Sequence, residues 1–255
     1  MDYIFDGSYH GFLCCIFACF EYKDDVDNLR VDRYDSVQAS FFSSERTILT
    51  DAEKAGRVKN GLEKAIGTGA TRDFYVAVLS EDPQAWKAAF SIAVSIFSGQ
   101  ENVLLNYGDD RVLYFAQTVK KVGRERHRMK AFVRFSKSSD GLYFALVEPD
   151  FNVLPLIANF FRNRYADQRW LIYDVKRKYG LSYNLNFVTE VTLSPIEKEA
   201  LSQDATLTLD EDDERYQTLW KRYYASTNIA ARKNLKLHVQ YVPKRYWKYL
   251  VEKQN

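Results

Sequence analysis

Arginine and lysine cluster in two parts of this chain, and the chemistry they offer there is the capture of phosphate. The first cluster opens with Arg124-Glu125-Arg126-His127-Arg128-Met129-Lys130, followed by Arg134. It continues through Arg162, Arg164 and Arg169 to Lys176-Arg177-Lys178. A guanidinium grips a phosphate through two parallel hydrogen bonds, and a lysine holds it as a point charge. The second cluster is a tail with Arg222, Arg232, Lys233, Lys244 and Arg245. Trp220, Tyr223, Tyr224, Tyr241, Tyr246 and Trp247 are interleaved with it. Rings among cations suit stacking on unpaired bases. The same rings at helical spacing equally suit a core.

The net charge of +2 hides a strong segregation. Residues 1–110 sum to −8, 111–180 to +9, 181–214 to −8 and 215–255 to +9. A surface built only for solubility interleaves its signs. Blocks of this size point to a basic face for a polyanion, or to acidic and basic blocks that pair across the fold.

Catalytic candidates are few. Asp174 interrupts an apolar strand pattern, Glu148 and Asp150 flank Pro149, and His127 sits inside the basic cluster. Carboxylates and a histidine could serve as acid and base on a nucleic acid. A buried carboxylate on a strand also needs a cation partner, so Asp174 either faces an arginine or marks a site. Gly67-Thr68-Gly69 lacks the lysine and spacing of a phosphate loop, and no nucleophile elbow occurs. Cys14, Cys15 and Cys19 share one apolar segment at spacings that match no common zinc or iron–sulfur pattern, so they read as reduced core thiols. No metal or cofactor is expected. No apolar run approaches a membrane span, and the acidic N-terminus is unlike a signal peptide. The expected location is cytoplasmic.

The elements that must position these residues follow from periodicity. Tyr3-Ile4-Phe5 reads as a strand, and Ser8 or Tyr9 starts a helix to about Tyr22. Residues 24–35 read as irregular, with short strands at 37–42 and 46–49. Thr50 or Asp51 caps a helix that Gly67 ends, and 72–79 is either helix or strand. Asp82-Pro83 starts a helix that Gly99 closes, and another spans about 110–122. From Met129 to Phe135 apolar residues recur at every second position, which predicts a strand. Asp140-Gly141 then signals a hairpin into a strand over 142–148. Asp150 or Asn152 caps a helix bearing Leu154, Ile157, Phe161 and Tyr165, with Pro155 in its first turn. A strand over 170–175 turns at Tyr179-Gly180 into another over 181–193. Further helices are expected after Pro195, from Asp210 or Glu211, and from Pro243. The expectation is an α+β chain. It has a helical N-terminal half with a small sheet, then an antiparallel β-β-α-β-β unit and C-terminal helices. The parts would be 1–110 and 111–255, or one continuous domain.

Several stretches together resemble a bacterial family of probable DNA metabolism or putative DNA repair proteins. They are residues 3–14, Arg128-Met129-Lys130-Ala131-Phe132-Val133-Arg134-Phe135, Glu148-Pro149-Asp150, Val153-Leu154-Pro155-Leu156, Trp170-Leu171-Ile172-Tyr173-Asp174, Tyr216-Gln217 with Leu219-Trp220, and Arg245-Tyr246-Trp247. The resemblance spans nearly the whole chain. It implies a partner, a radical-SAM protein of putative DNA modification or repair. Some family members are fused to a uracil-DNA-glycosylase-like domain, which is not expected here. The partner's Cys-x-x-x-Cys-x-x-Cys pattern does not occur in this chain. Three readings stand side by side. One is a DNA-binding accessory protein. The second is a glycosylase- or nuclease-like enzyme using Asp174, Glu148 or His127. The third is a protein-interaction scaffold without nucleic-acid contact.

Overall fold

The computed structural model describes residues 2–25, 30–33, 45–138, 141–192, 239 and 242–253. The expected strand over 37–42, the helices after Pro195 and from Asp210, and Arg232 and Lys233 lie outside the described residues. The chain divides into two compact units, Met1–Arg124 and Glu125–Asn255.

In the first unit β1 (Asp2–Phe5) lies between β2 (Arg30–Arg33) and β3 (Glu45–Thr47), parallel to both. The stretch read as irregular therefore contains a strand. Three of its four residues are charged, which hides an edge strand that pairs through its backbone. Ser8, Asp51 and Asp82 cap α1 (Tyr9–Tyr22), α2 (Ala52–Val78) and α3 (Pro83–Phe97) by accepting from main-chain N–H groups of the first turn. Gly67, at φ 82° and ψ 161°, breaks the helical path of α2, and 72–78 continue as helix. Cys14, Cys15 and Cys19 are buried in the core beside Phe12 and Ile16. Burial raises the Cys15 thiol well above its ordinary pKa.

The boundary between the units falls within α4 (Asp110–Phe132). The strand expected from Met129 is helix instead. Val112, Phe115, Thr118, Val122, Glu125, Met129 and Val133 are all buried. Their spacing of three and four is the helical period, and it continues straight through the basic cluster.

In the second unit β4 (Ser136–Lys137), β5 (Tyr143–Val147), β6 (Trp170–Asp174), β7 (Tyr179–Tyr183) and β8 (Val188–Val191) form one sheet in that order. The α+β class holds, but the sheet is mixed. The central β5–β6 pair is parallel, because α5 (Leu154–Arg164) carries the chain back across one face. The other pairs are antiparallel. The turn between β6 and β7 is at 175–178, where Lys178 takes φ 60°, and Gly180 lies inside β7. The strand expected over 181–193 is two strands, broken where Asn184 Oδ1 accepts from the Asn186 and Phe187 amides. Val153 occupies the N-cap of α5 without a side-chain bond, so neither Asp150 nor Asn152 caps it. Pro155 is in its first turn as expected. Leu154, Ile157 and Phe161 bury against the sheet layer, where Phe161 meets Trp170 at 6.2 Å. The helix expected from Pro243 is a 3₁₀ segment, Lys244–Tyr249.

Gly180 is needed for its size. A Cβ there would stand 2.7 Å from the Ile172 carbonyl oxygen on the adjacent strand. Gly180→Ala is expected to destabilise the protein by about 1–3 kcal/mol in urea unfolding, the usual cost of overpacking. A change under about 0.5 kcal/mol, the range of an ordinary surface substitution, would contradict the close approach.

Candidate functional site

The parallel pair β5–β6 directs its carboxyl ends to one place, and open sheets bind ligands there. Past β5 comes Glu148-Pro149-Asp150, and past β6 comes Val175-Lys176-Arg177. The 3₁₀ segment Lys244–Tyr249 lies across them. Together they form a cleft of about 430 Å³ lined by Glu148, Pro149, Asp150, Lys176, Lys244, Arg245 and Lys248. Four cations and two carboxylates thus share one concavity.

The floor is fixed by buried ion pairs. Asp174 is fully buried. Its Oδ1 accepts from the Lys176 and Arg177 amides at 3.0 and 3.1 Å, and its Oδ2 takes the Arg177 guanidinium at 2.8 Å. Arg177 donates onward to the Pro149 and Asp150 carbonyls at 3.0 and 3.1 Å. Burial pushes the Asp174 carboxyl above the usual carboxylate range, against the pull of Arg177. Of the two sequence alternatives, Asp174 faces an arginine. Both of its oxygens are engaged within the protein, Oδ1 by two main-chain amides and Oδ2 by the Arg177 guanidinium.

Glu125, on α4, is 1 % exposed. Its Oε1 accepts from the Asp150 amide at 2.9 Å and from the Tyr246 hydroxyl. Its Oε2 lies 3.4 Å from Arg245 Nη2 and 3.7 Å from Arg128 Nη1. Arg245 also donates to the Tyr246 oxygen at 2.7 Å and pairs with Asp150 Oδ2 at 2.5 Å. Burial and the Glu125 hydrogen bond raise the Tyr246 hydroxyl above its ordinary range, so it stays a donor. At the rim Glu148 Oε2 accepts from Lys248 Nζ and, at 2.8 Å, from the Tyr249 hydroxyl. Those two donors hold the Glu148 carboxyl below the usual range.

The DUF4130 family, a domain of unknown function, matches residues 83–252. The chain belongs to the DUF4130 family. No curated protein matches it. The DUF4130 match contains every residue that lines the cleft.

The expected site residues are only partly gathered. Glu148, Lys176, Lys244 and Arg245 line the cleft, and Arg177 sits beneath it. On a helix the alternating arginines diverge. Arg124 and Arg128 share one flank of α4, and Arg126 and Lys130 share the other. Lys130 lies over the Phe160 ring at 4.9 Å. Arg134 donates to the Ala131 and Val133 carbonyls, which terminates the helix. His127 is exposed on α4 and is not among the cleft residues. Arg162, Arg164 and Arg169 are exposed elsewhere on the unit, and Lys178 is in the β6–β7 turn. Lys248 and Tyr249 were not singled out from the sequence. Their only signal was position, three and four residues beyond Arg245. Among the described residues no three His, Cys, Asp or Glu gather as metal ligands, and no helix is long and apolar enough to cross a membrane.

Two outcomes test this arrangement. Tyr246→Phe leaves the buried Glu125 short of one donor. It is expected to cost about 1–3 kcal/mol in urea unfolding, and a change under about 0.5 kcal/mol would contradict the network. Glu148 stabilises with a sign set by its lowered pKa: the contribution is present above the unfolded value and lost as pH falls through the folded one. The stability gap between the native chain and Glu148→Gln should therefore shrink from neutral pH to strong acid. A gap independent of pH would remove the ion pair from the account.

Proposed function

We propose that this protein binds DNA through the cleft of its second unit and acts as an accessory protein in DNA repair or base modification. One observation carries the reading. Lys176 comes from the first basic block, and Lys244, Arg245 and Lys248 come from the second, yet all four line one cleft. Two runs of like charge brought to one concavity form an electrostatic footprint for phosphate. The cleft also sits at the carboxyl ends of parallel strands, a usual ligand position. Trp247, held between Lys244 and Lys253 at 6.0 and 5.2 Å, is a half-buried ring beside these cations and suits stacking on a base. The family resemblance supplies the biological setting and the partner. On this reading the radical-SAM protein does the chemistry and this chain holds the nucleic acid.

The test is binding of the full chain to single- and double-stranded DNA across a salt series. Log affinity should fall linearly with log salt concentration, by roughly 0.7–0.9 per phosphate neutralised. Lys176→Ala combined with Lys244→Ala should weaken binding on every sequence and lower the slope by about 1 for each lysine. Absence of binding at low salt would reject the reading. The basic cleft would then be a protein interface, and the radical-SAM partner would be the next ligand to titrate.

A further inference from the structure

The cleft holds anions already. Glu148 and Asp150 project from one loop two residues apart, and each meets a cation of the 3₁₀ segment, Lys248 and Arg245 respectively. In a 3₁₀ helix residues three apart eclipse, so Arg245 and Lys248 form one face and present two positive groups side by side. Two residues apart, Glu148 and Asp150 have Cα atoms separated by at most about 7 Å. The result is a two-point ionic clip of paired carboxylates against paired cations.

We propose that this clip is the binding position for two consecutive phosphates of a single nucleic-acid strand, and that Glu148 and Asp150 occupy it until the strand arrives. The proposal rests on the phosphate reading above and specifies the ligand of the same cleft. Exchange is feasible because the clip is at the surface. The side chains of the Arg245–Asp150 pair are 41 % and 47 % exposed, and those of Lys248–Glu148 are 60 % and 38 % exposed. Such pairs contribute little and are screened by solvent. Exchange also requires no unfolding, since both sides are anchored by other bonds. The loop is held through its backbone, by Arg177 at the Pro149 and Asp150 carbonyls and by Glu125 at the Asp150 amide. The 3₁₀ segment is held by Tyr246 on Glu125, and Leu250 beyond it is buried. A phosphodiester offers the guanidinium the same pair of acceptors that a carboxylate does. One free phosphate displaces one carboxylate, whereas two linked phosphates displace both. Selectivity for a strand over inorganic phosphate follows.

The experiment is fluorescence anisotropy of a labelled single-stranded deoxyoligonucleotide with the full chain at low salt. Glu148→Gln and Asp150→Asn keep shape and remove the competing charge. Each should tighten binding about two- to fivefold, and the double variant should show the product. The control Glu190→Gln with Asp167→Asn removes the same charge at exposed positions that do not line the cleft. It should change affinity by less than twofold. A 5′-phosphorylated dinucleotide should displace the probe at lower concentration than inorganic phosphate does. Suppose the native chain binds and Lys176→Ala with Lys244→Ala weakens it, but the double carboxylate variant does no better than the control. The exchange is then overturned and the phosphate reading stands. Equal tightening by control and double variant overturns it too, since only net charge would matter. If no chain binds, the phosphate reading itself fails. Glu148→Gln alone, at an exposed pair, reports on exchange should Asp150→Asn impair folding.

Discussion

A buried carboxylate must be met by donors, and in the second unit that requirement falls on Glu125. An ionised group removed from water is costly unless paired and hydrogen-bonded. Here the Asp150 amide, the Tyr246 hydroxyl, Arg245 and Arg128 meet it. Those groups come from the loop after β5, the C-terminal 3₁₀ segment and the next turn of α4. One side chain therefore sets where a segment more than a hundred residues downstream can lie. An apolar residue of similar size would fill the space, but it could not orient the Arg245 guanidinium or fix the Asp150 backbone. The network trades some stability for position.

A second buried carboxylate does the same from the other side. Asp174 ends β6 in a turn that its own Oδ1 closes, and it holds Arg177 under the Glu148-Pro149-Asp150 loop. The loop is thus clamped by backbone contacts from below and behind. Its two acidic side chains are left facing the cleft. That division explains why neither Asp150 nor Asn152 caps α5: the Asp150 carboxylate pairs with Arg245, and the Asn152 side chain accepts from the Tyr179 hydroxyl at 2.5 Å.

The same residue explains what was legible in the sequence and what was not. Helix caps at Ser8, Asp51 and Asp82 are local, and local chemistry reads directly. The buried face of α5 also reads directly, because all its members are apolar. Helix α4 misleads because Glu125 occupies a core position and interrupts the apolar stripe. Without it in the pattern, Met129, Ala131, Val133 and Phe135 present a convincing period of two. The parallel β5–β6 pair was hidden for another reason. Hairpin signals are local, but a strand–helix–strand crossover is recognised only by asking where the helix returns the chain. Lys248 escaped notice because nothing beside it in sequence names Glu148 as its partner.

Charge segregation along the chain conceals pairings within and between the two basic blocks. Among the described residues, Arg245 and Lys248 of the second basic block pair with carboxylates that lie inside the first one, Glu125, Glu148 and Asp150. Counting charge by blocks conceals this, because three acids within a block of +9 look like minor exceptions. They are instead the fixed points onto which the second block is folded. Once the blocks converge, four cations face two carboxylates across the cleft, so the balance there remains positive. A cleft with no internal carboxylates would hold four like charges at mutual repulsion in the unliganded protein. A cleft with four would be neutral and indifferent to phosphate. Two carboxylates relieve the repulsion and leave the cleft net positive, the balance that the proposed reversible capture of phosphate requires.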